Sequence, residues 1–201
     1  NIWSDPVSAG RFIKDNRGFL ERQIEHILAA GVKVAGFSVY QSSLQVSLYL
    51  ARRIKERNKN VIVVFGGPEM SAYSSGSLAI NDGSVDFVVQ GEGELALAEI
   101  AENGKPGRFC KGALVRKKGK VTDCGAGTLI KDLDTLPFPD FSDYNLADYT
   151  GAFKIPIVSS RGCCNNCVFC TERNFWRHFR SRSAESLYAE KRPVSPTPII
   201  A

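Results

Sequence analysis

The stretch Val61-Ile62-Val63-Val64-Phe65-Gly66-Gly67-Pro68 decides the fold. Its apolar run has the length of a strand, shows no polar alternation, and is stopped by two glycines and a proline. Such a strand must be covered on both faces, the condition of a parallel sheet between helical layers. Before it, Val32-Lys33-Val34-Ala35-Gly36-Phe37-Ser38-Val39-Tyr40 reads as another strand, rich in branched and aromatic residues. Between the two, Val46, Leu50 and Ile54 recur every four residues and predict a helix over 44–57. Arg52, Arg53, Lys55 and Arg57 gather late in that segment, where the unpaired carbonyls of a helix end favour cations.

The unit repeats on both sides. Phe19, Leu20, Ile24, Ile27 and Leu28 are spaced for one face of a helix that ends at Gly31. After the central strand, a looser helical stretch over 70–82 leads to a third strand, Val85-Asp86-Phe87-Val88-Val89. Gly91-Glu92-Gly93-Glu94 and a helix through Leu95, Leu97, Ile100 and Ala101 follow. Residues 113–122 read as a small hairpin at the edge. The expected fold class of residues 1–124 is therefore α/β, a doubly wound parallel sheet of the flavodoxin or Rossmann kind. Such sheets usually have about five strands; three parallel ones are visible here, so at least the first is expected to lie before Asn1.

Residues 125–152 change character. Leu136-Pro137-Phe138-Pro139-Asp140-Phe141 has neither period, and each proline forces its predecessor into extended geometry. We expect an extended linker. Phe153 to Ser159 reads as a strand feeding into Arg161-Gly162, and Glu172 to Tyr188 as a helix, so 153–201 form a second domain.

Composition excludes several classes. Of 201 residues, 43% are hydrophobic and 23% charged, which fits neither collagen nor bulk disorder. No apolar run nears the roughly 18 residues of a spanning helix, so no membrane span is expected. The chain opens at Asn1 with no basic-then-apolar leader, so no secretory signal is expected. The net charge of +5 is concentrated beyond residue 160, so no general polyanion surface is implied. Arg173, Arg177 and Arg180 fall at helical spacing among Phe175, Trp176 and Phe179. A solvated helix face with an aromatic underside is the simpler reading, and no nucleic-acid partner is assigned.

Four of the six cysteines lie within eight residues: Cys163, Cys164, Cys167 and Cys170. A secreted scaffold would spread its half-cystines, and disulfides within so short a loop would be strained. Clustered thiols point instead to a metal site in a reducing compartment, hence a cytoplasmic location. Cys163, Cys167 and Cys170, spaced three and then two residues apart, can wrap one corner of an iron–sulfur cluster. Three thiolates leave one iron of a [4Fe–4S] cluster open to an outside ligand. Zinc held by the same thiolates with His178 or Cys164 is the alternative, although structural zinc sites usually bring paired ligands from separate turns.

Ser160-Arg161-Gly162-Cys163 followed by Cys167-Val168-Phe169-Cys170 resembles the signature of radical S-adenosylmethionine (SAM) enzymes. The resemblance implies that Cys163, Cys167 and Cys170 bind three irons, that SAM chelates the fourth, and that Phe169 flanks the adenine. It also implies a partial (β/α) barrel, of which residues 153–201 would be the start, and an electron donor of flavodoxin or ferredoxin type. Cys164 has no role in that pattern and reads as a bystander.

The N-terminal segment is similar to cobalamin-binding domains. Ser42-Ser43-Leu44 after one strand and Gly66-Gly67 after the next match their Ser-x-Leu and Gly-Gly. Their Asp-x-His-x-x-Gly loop has no counterpart, and His26 lies in a predicted helix. Val-Asp-Phe-Val-Val-Gln-Gly-Glu-Gly-Glu (85–94), Phe-Gly-Gly-Pro (65–68) and Leu-Pro-Phe-Pro-Asp (136–140) resemble cobalamin-dependent radical SAM enzymes, many of which lack that histidine. The resemblance implies cobalamin against Ser42, Leu44, Gly66, Gly67, Gly91, Glu92 and Gly93, at the carboxyl ends of strands where doubly wound sheets bind ligands. Taken singly, the glycines read as tight turns and Ser42 as a helix cap.

The implied function is a fragment of a cobalamin-dependent radical SAM enzyme that methylates unactivated carbon or phosphorus on a small molecule. No Gly-Gly-Glu follows the cysteines, so the chain alone is not expected to turn over. Non-methylating oxidation of the porphyrin-cyclase kind, a non-catalytic cobalamin carrier and a zinc-stabilised nucleic-acid module remain as alternatives.

Overall fold

The computed structural model describes residues 5–70, 75–104, 111–125, 127–141, 156–165, 167–170 and 172–191. The chain forms two compact units, Asn1–Leu129 and Ile130–Ala201.

The first unit opens with helix α1 (Pro6–Asp15), which the sequence reading did not anticipate. Its start is locally encoded: Asp5 accepts the Ser8 backbone N–H at 2.9 Å, and Pro6 occupies the first turn. Helix α2 (Arg17–Ala29) follows, then β1 (Val34–Ser38), α3 (Leu44–Arg57), β2 (Ile62–Gly66), α4 (Gly76–Asn81), β3 (Phe87–Val89) and α5 (Glu94–Asn103). A hairpin, β4 (Ala113–Lys117) and β5 (Lys120–Asp123), completes it.

The five strands make one sheet in the order β1-β2-β3-β4-β5. The first three run parallel, with Gly36 beside Val64 and Ser38 beside Gly66 across β1 and β2. The expected hairpin lies at the edge of the sheet, where β4 pairs antiparallel with β3 and extends it. This is the expected α/β fold. A further strand before Asn1 lies outside the described residues.

Period-two alternation divides the core between the two faces. Val63, Phe65, Val88 and Leu114 pack with Ile24 of α2, Ala51 and Ile54 of α3, and Ala79 and Ile80 of α4. Val64, Phe87, Val89, Ala113 and Val115 pack with Ala96 and Ile100 of α5. Each fully buried Val, Ile or Phe stabilises by about 1.5–3 kcal/mol, which makes this double layer the main source of cohesion. Polar groups tie the helices to it. Lys55, read from sequence as a helix-end cation, donates to the Val61 carbonyl at 2.7 Å and pairs with Asp86. The Asp86 carboxylate also accepts the Val63 N–H at 2.8 Å, holding β2 and β3 at their amino ends.

In the second unit the helix expected over 172–188 is broken. It consists of α6 (Glu172–Trp176), a short strand β7 (Arg180–Ser181) and α7 (Ala184–Lys191). The cause is Arg177, whose φ of 63° is left-handed and ends α6. Strand β7 pairs antiparallel with β6 (Ser160–Arg161). The strand expected over 153–159 is displaced: residues 156–159 are irregular, pairing begins at Ser160, and 153–155 lie outside the described residues.

The early part of the expected linker folds with this unit. Arg182, almost fully buried, ion-pairs with the equally buried Glu190 and lies 5.0 Å over the ring of Phe138. Asp134 accepts the Ser183 N–H at 3.0 Å. Phe138 is thus a surface on which Arg182 rests.

Candidate functional site

Helix α5 covers its face of the sheet over β3 and β4 and leaves part of β1 and β2 open. The result is a cleft of about 330 Å³ lined by Gly36, Phe37, Ser38, Val64, Gly66, Gly67, Val89, Gly93 and Leu97. Its floor is the outward side of β1 and β2 at their carboxyl ends, and its wall is the first turn of α5. Such ends are where open parallel sheets receive ligands, because strand-to-helix loops diverge there.

Two glycines shape this cleft in different ways. A Cβ at Gly36 would meet nothing within 4 Å, so the residue leaves open space over mid-strand. Gly67 has φ +94°, and a Cβ there would stand 2.7 Å from the Val39 nitrogen. Only glycine lets the β2 end turn this tightly against β1.

Of the residues singled out from sequence, Gly66, Gly67 and Gly93 line the cleft. Gly93 is the N-cap of α5, and Glu94 sits in its first turn. Gly91 and Glu92 lie on the approach to that cap and are not among the lining residues. Ser42 is exposed in the turn before α3, whose cap residue is Ser43. The Ser43 hydroxyl is bonded to its own turn: it accepts the Tyr40 N–H at 3.0 Å and donates to the Tyr40 carbonyl at 3.2 Å. Leu44 packs into the core on the other face of the sheet.

The sequence reading missed Gly36, Phe37, Ser38, Val64, Val89 and Leu97. A signal was present in Gly36, since glycine inside a strand often marks close approach of a ligand or another backbone.

In the second unit, the cysteines occupy the loop that leaves β6. Cys163, Cys164 and Cys167 are exposed and Cys170 is half-buried, none of them in a disulfide. The Cys170 N–H donates to the Cys167 carbonyl at 3.1 Å, and the Asn165 N–H points to the Cys163 sulfur at 3.4 Å. Phe169 is largely exposed beside them. Among the described residues, no three metal-ligating side chains are already gathered on one point.

The base of the loop is tightly built. Gly162 has φ +81°, and a Cβ there would lie 2.4 Å from the His178 carbonyl oxygen. Arg161 lies 5.0 Å over the Trp176 ring, which meets Phe175 edge-on at 4.6 Å. Arg180 does not present a basic face; its guanidinium donates to the carbonyls of Trp176, His178 and Ile130. The interleaved Arg and aromatic stripe read from sequence therefore does not form. Arg177 is exposed in the turn, and the side chain of Arg173 lies outside the described residues.

Both donor sets fit the groups the sequence suggested. Three reduced thiols on one loop, with soft sulfur donors and no disulfide, suit an iron–sulfur cluster. An apolar cleft floored by side-chain-free backbone suits a flat or planar organic ligand. Among the described residues no helix is long and apolar enough to cross a membrane.

Comparison with known proteins matches residues 10–101 to the B12 binding domain family. The chain is 32% identical over 165 residues to an uncharacterized methyltransferase from Pyrococcus horikoshii, covering 78% of this chain and 35% of that protein. It is 28% identical over 162 residues to the anaerobic magnesium-protoporphyrin IX monomethyl ester cyclase from Synechocystis, covering 77% of this chain and 32% of the cyclase. The chain therefore spans about a third of the length of these relatives. Among solved structures, the radical SAM methyltransferase TsrM from Kitasatospora setae, with cobalamin and a [4Fe-4S] cluster bound, has a TM-score of 0.62. It is 15% identical, with 90% of this chain and 39% of TsrM covered.

Proposed function

We propose that this chain, whose residues 10–101 match the B12 binding domain family, is the cofactor-binding part of a cobalamin-dependent radical SAM methyltransferase acting on a small molecule. The observation that carries the proposal is the pairing, in one chain, of a glycine-floored cleft at the strand ends with three undisulfided cysteines on one loop.

Cys163, Cys167 and Cys170 hold the cluster, whose chemistry when bound is one-electron cleavage of SAM to a 5'-deoxyadenosyl radical that abstracts hydrogen. Gly36, Gly66 and Gly93 admit the cobalamin, which carries the methyl group. Val64, Val89 and Leu97 line the cleft and would exclude water from a ligand seated there. Gly67 keeps the β2 end close against Val39, so the cleft floor is preformed. Phe169 offers a ring beside the cluster for stacking against an adenine. A flavodoxin or ferredoxin type donor would supply the reducing electron, and clustered reduced thiols support a cytoplasmic location.

The cyclase relative supports a second reading, in which the same two cofactors serve a non-methylating oxidation of a porphyrin ring. The two readings differ in substrate and in whether a methyl group is transferred.

The test is anaerobic reconstitution of the chain with iron, sulfide and hydroxocobalamin. The expected result is a brown chromophore near about 400 nm together with corrin absorption that stays with the protein through gel filtration. Corrin uptake without iron supports a carrier alone. Zinc uptake with salt-sensitive RNA binding, and neither chromophore, overturns the proposal.

A further inference from the structure

Arg180 has no place in the cofactor chemistry above, yet its guanidinium donates to three backbone carbonyls. Its Nε donates to the His178 carbonyl at 3.2 Å and one Nη to the Trp176 carbonyl at 3.1 Å, while the other donates to the Ile130 carbonyl. Trp176 and His178 belong to the segment that brings the chain back from the cysteine loop to β7. On the outgoing side, Arg161 pairs with Arg180 across β6 and β7, and Gly162 is pressed against that same His178 carbonyl. The returning end of the loop is thus held by the guanidinium, and the outgoing end meets it only through the His178 carbonyl packed against Gly162.

We propose that Arg180 is a positioning residue for the cluster: by holding the carbonyls of Trp176, His178 and Ile130 it fixes the returning end of the cysteine loop where the His178 carbonyl meets Gly162, so that less backbone freedom is lost when Cys163, Cys167 and Cys170 converge on one cluster. The inference rests on reading those cysteines as cluster ligands.

The physical reason is donor geometry. Three carbonyls arriving from separate directions need several N–H groups in a fixed plane, and the guanidinium supplies five. A lysine ammonium keeps the charge and loses that fork. A loop of this size without such a clamp would lose backbone entropy when its ligands converge, weakening the hold on iron.

The experiment compares the full chain with its R180K variant, both reconstituted anaerobically, under a fixed excess of iron chelator. R180K is expected to lose its about 400 nm absorbance about tenfold faster than the parent, the scale of loss when a supporting shell is removed from a metal site. The electron paramagnetic resonance spectrum of its reduced cluster is expected to broaden, a change that altered folding elsewhere would not produce. Equal stripping rates and superimposable spectra overturn the proposal.

Hydrogen exchange on the metal-free parent gives a second reading that needs no variant. Amides of residues 176–181 are expected to exchange at least about tenfold more slowly than those of 163–170; equal rates overturn the clamp. Should the parent chain take up no cluster at all, the reading of the cysteines fails, while the exchange result still decides whether Arg180 fixes the returning end of the loop.

Discussion

Gly67 and Val39 meet backbone to backbone: a Cβ on Gly67 would lie 2.7 Å from the Val39 nitrogen and 2.8 Å from its carbonyl oxygen. The same nitrogen donates to the Gly66 carbonyl at 2.7 Å, so the ends of β1 and β2 are stitched at the floor of the cleft.

Replacing Gly67 by alanine would combine a left-handed backbone with a collision against an atom that cannot rotate away. G67A is expected to destabilise the first unit by about 2–4 kcal/mol, read as a lower urea midpoint. Unchanged stability would show that the two strand ends separate easily.

Gly36 is the opposite case, because its missing side chain faces open space. G36L is expected to leave the melting temperature within a few degrees and to weaken hydroxocobalamin binding at least about tenfold, by filling the cleft floor. Isothermal titration measures it. Parent-like affinity in a folded G36L protein would mean that the ligand sits elsewhere.

The cysteines divide three to one. C163A, C167A and C170A are each expected to lose most of the iron–sulfur absorbance, whereas C164A retains it. A C164A protein that fails to take up iron would instead favour a four-thiolate site closed by the polypeptide.

Glu21 joins α2 to α3. Its carboxylate accepts from Arg53 at 2.9 Å and from the Tyr49 hydroxyl at 2.6 Å, and it pairs with Arg57. The Arg53 hydrogen bonds first, then Tyr49, hold its pKa down to about 2 from an ordinary 4.5. A carboxyl lowered on folding contributes fully above 4.5, and that contribution fades as pH falls toward 2. E21Q is therefore expected to cost about 1–3 kcal/mol at pH 6 and close to nothing near pH 2, by denaturant unfolding. A pH-independent difference between E21Q and the parent would assign the effect to packing.

Much of the first unit was legible in its residues. The runs at Val34–Ser38 and Ile62–Gly66, and the four-residue spacing of Val46, Leu50 and Ile54, are local patterns that burial on a sheet or a helix face imposes directly. Helix α1 went unread although its signals are local, an Asp5 cap onto Ser8, Pro6 in the first turn and an amphipathic stretch behind them. The helix read over 172–188 failed because periodicity does not report φ, and Arg177 turns left-handed in the middle of it.

The cysteine spacing, the strand order of residues and the glycines at the strand ends are all properties of the linear chain, since each rests on neighbours a few residues apart. Where the cleft opens is not, for it depends on which part of the sheet α5 leaves uncovered once Ala96 and Ile100 have packed. Nor could spacing reveal that Arg180 grips the Trp176 and His178 carbonyls after the cysteine loop together with that of Ile130, because a hydrogen bond across 50 residues is settled only when the backbone between them has folded.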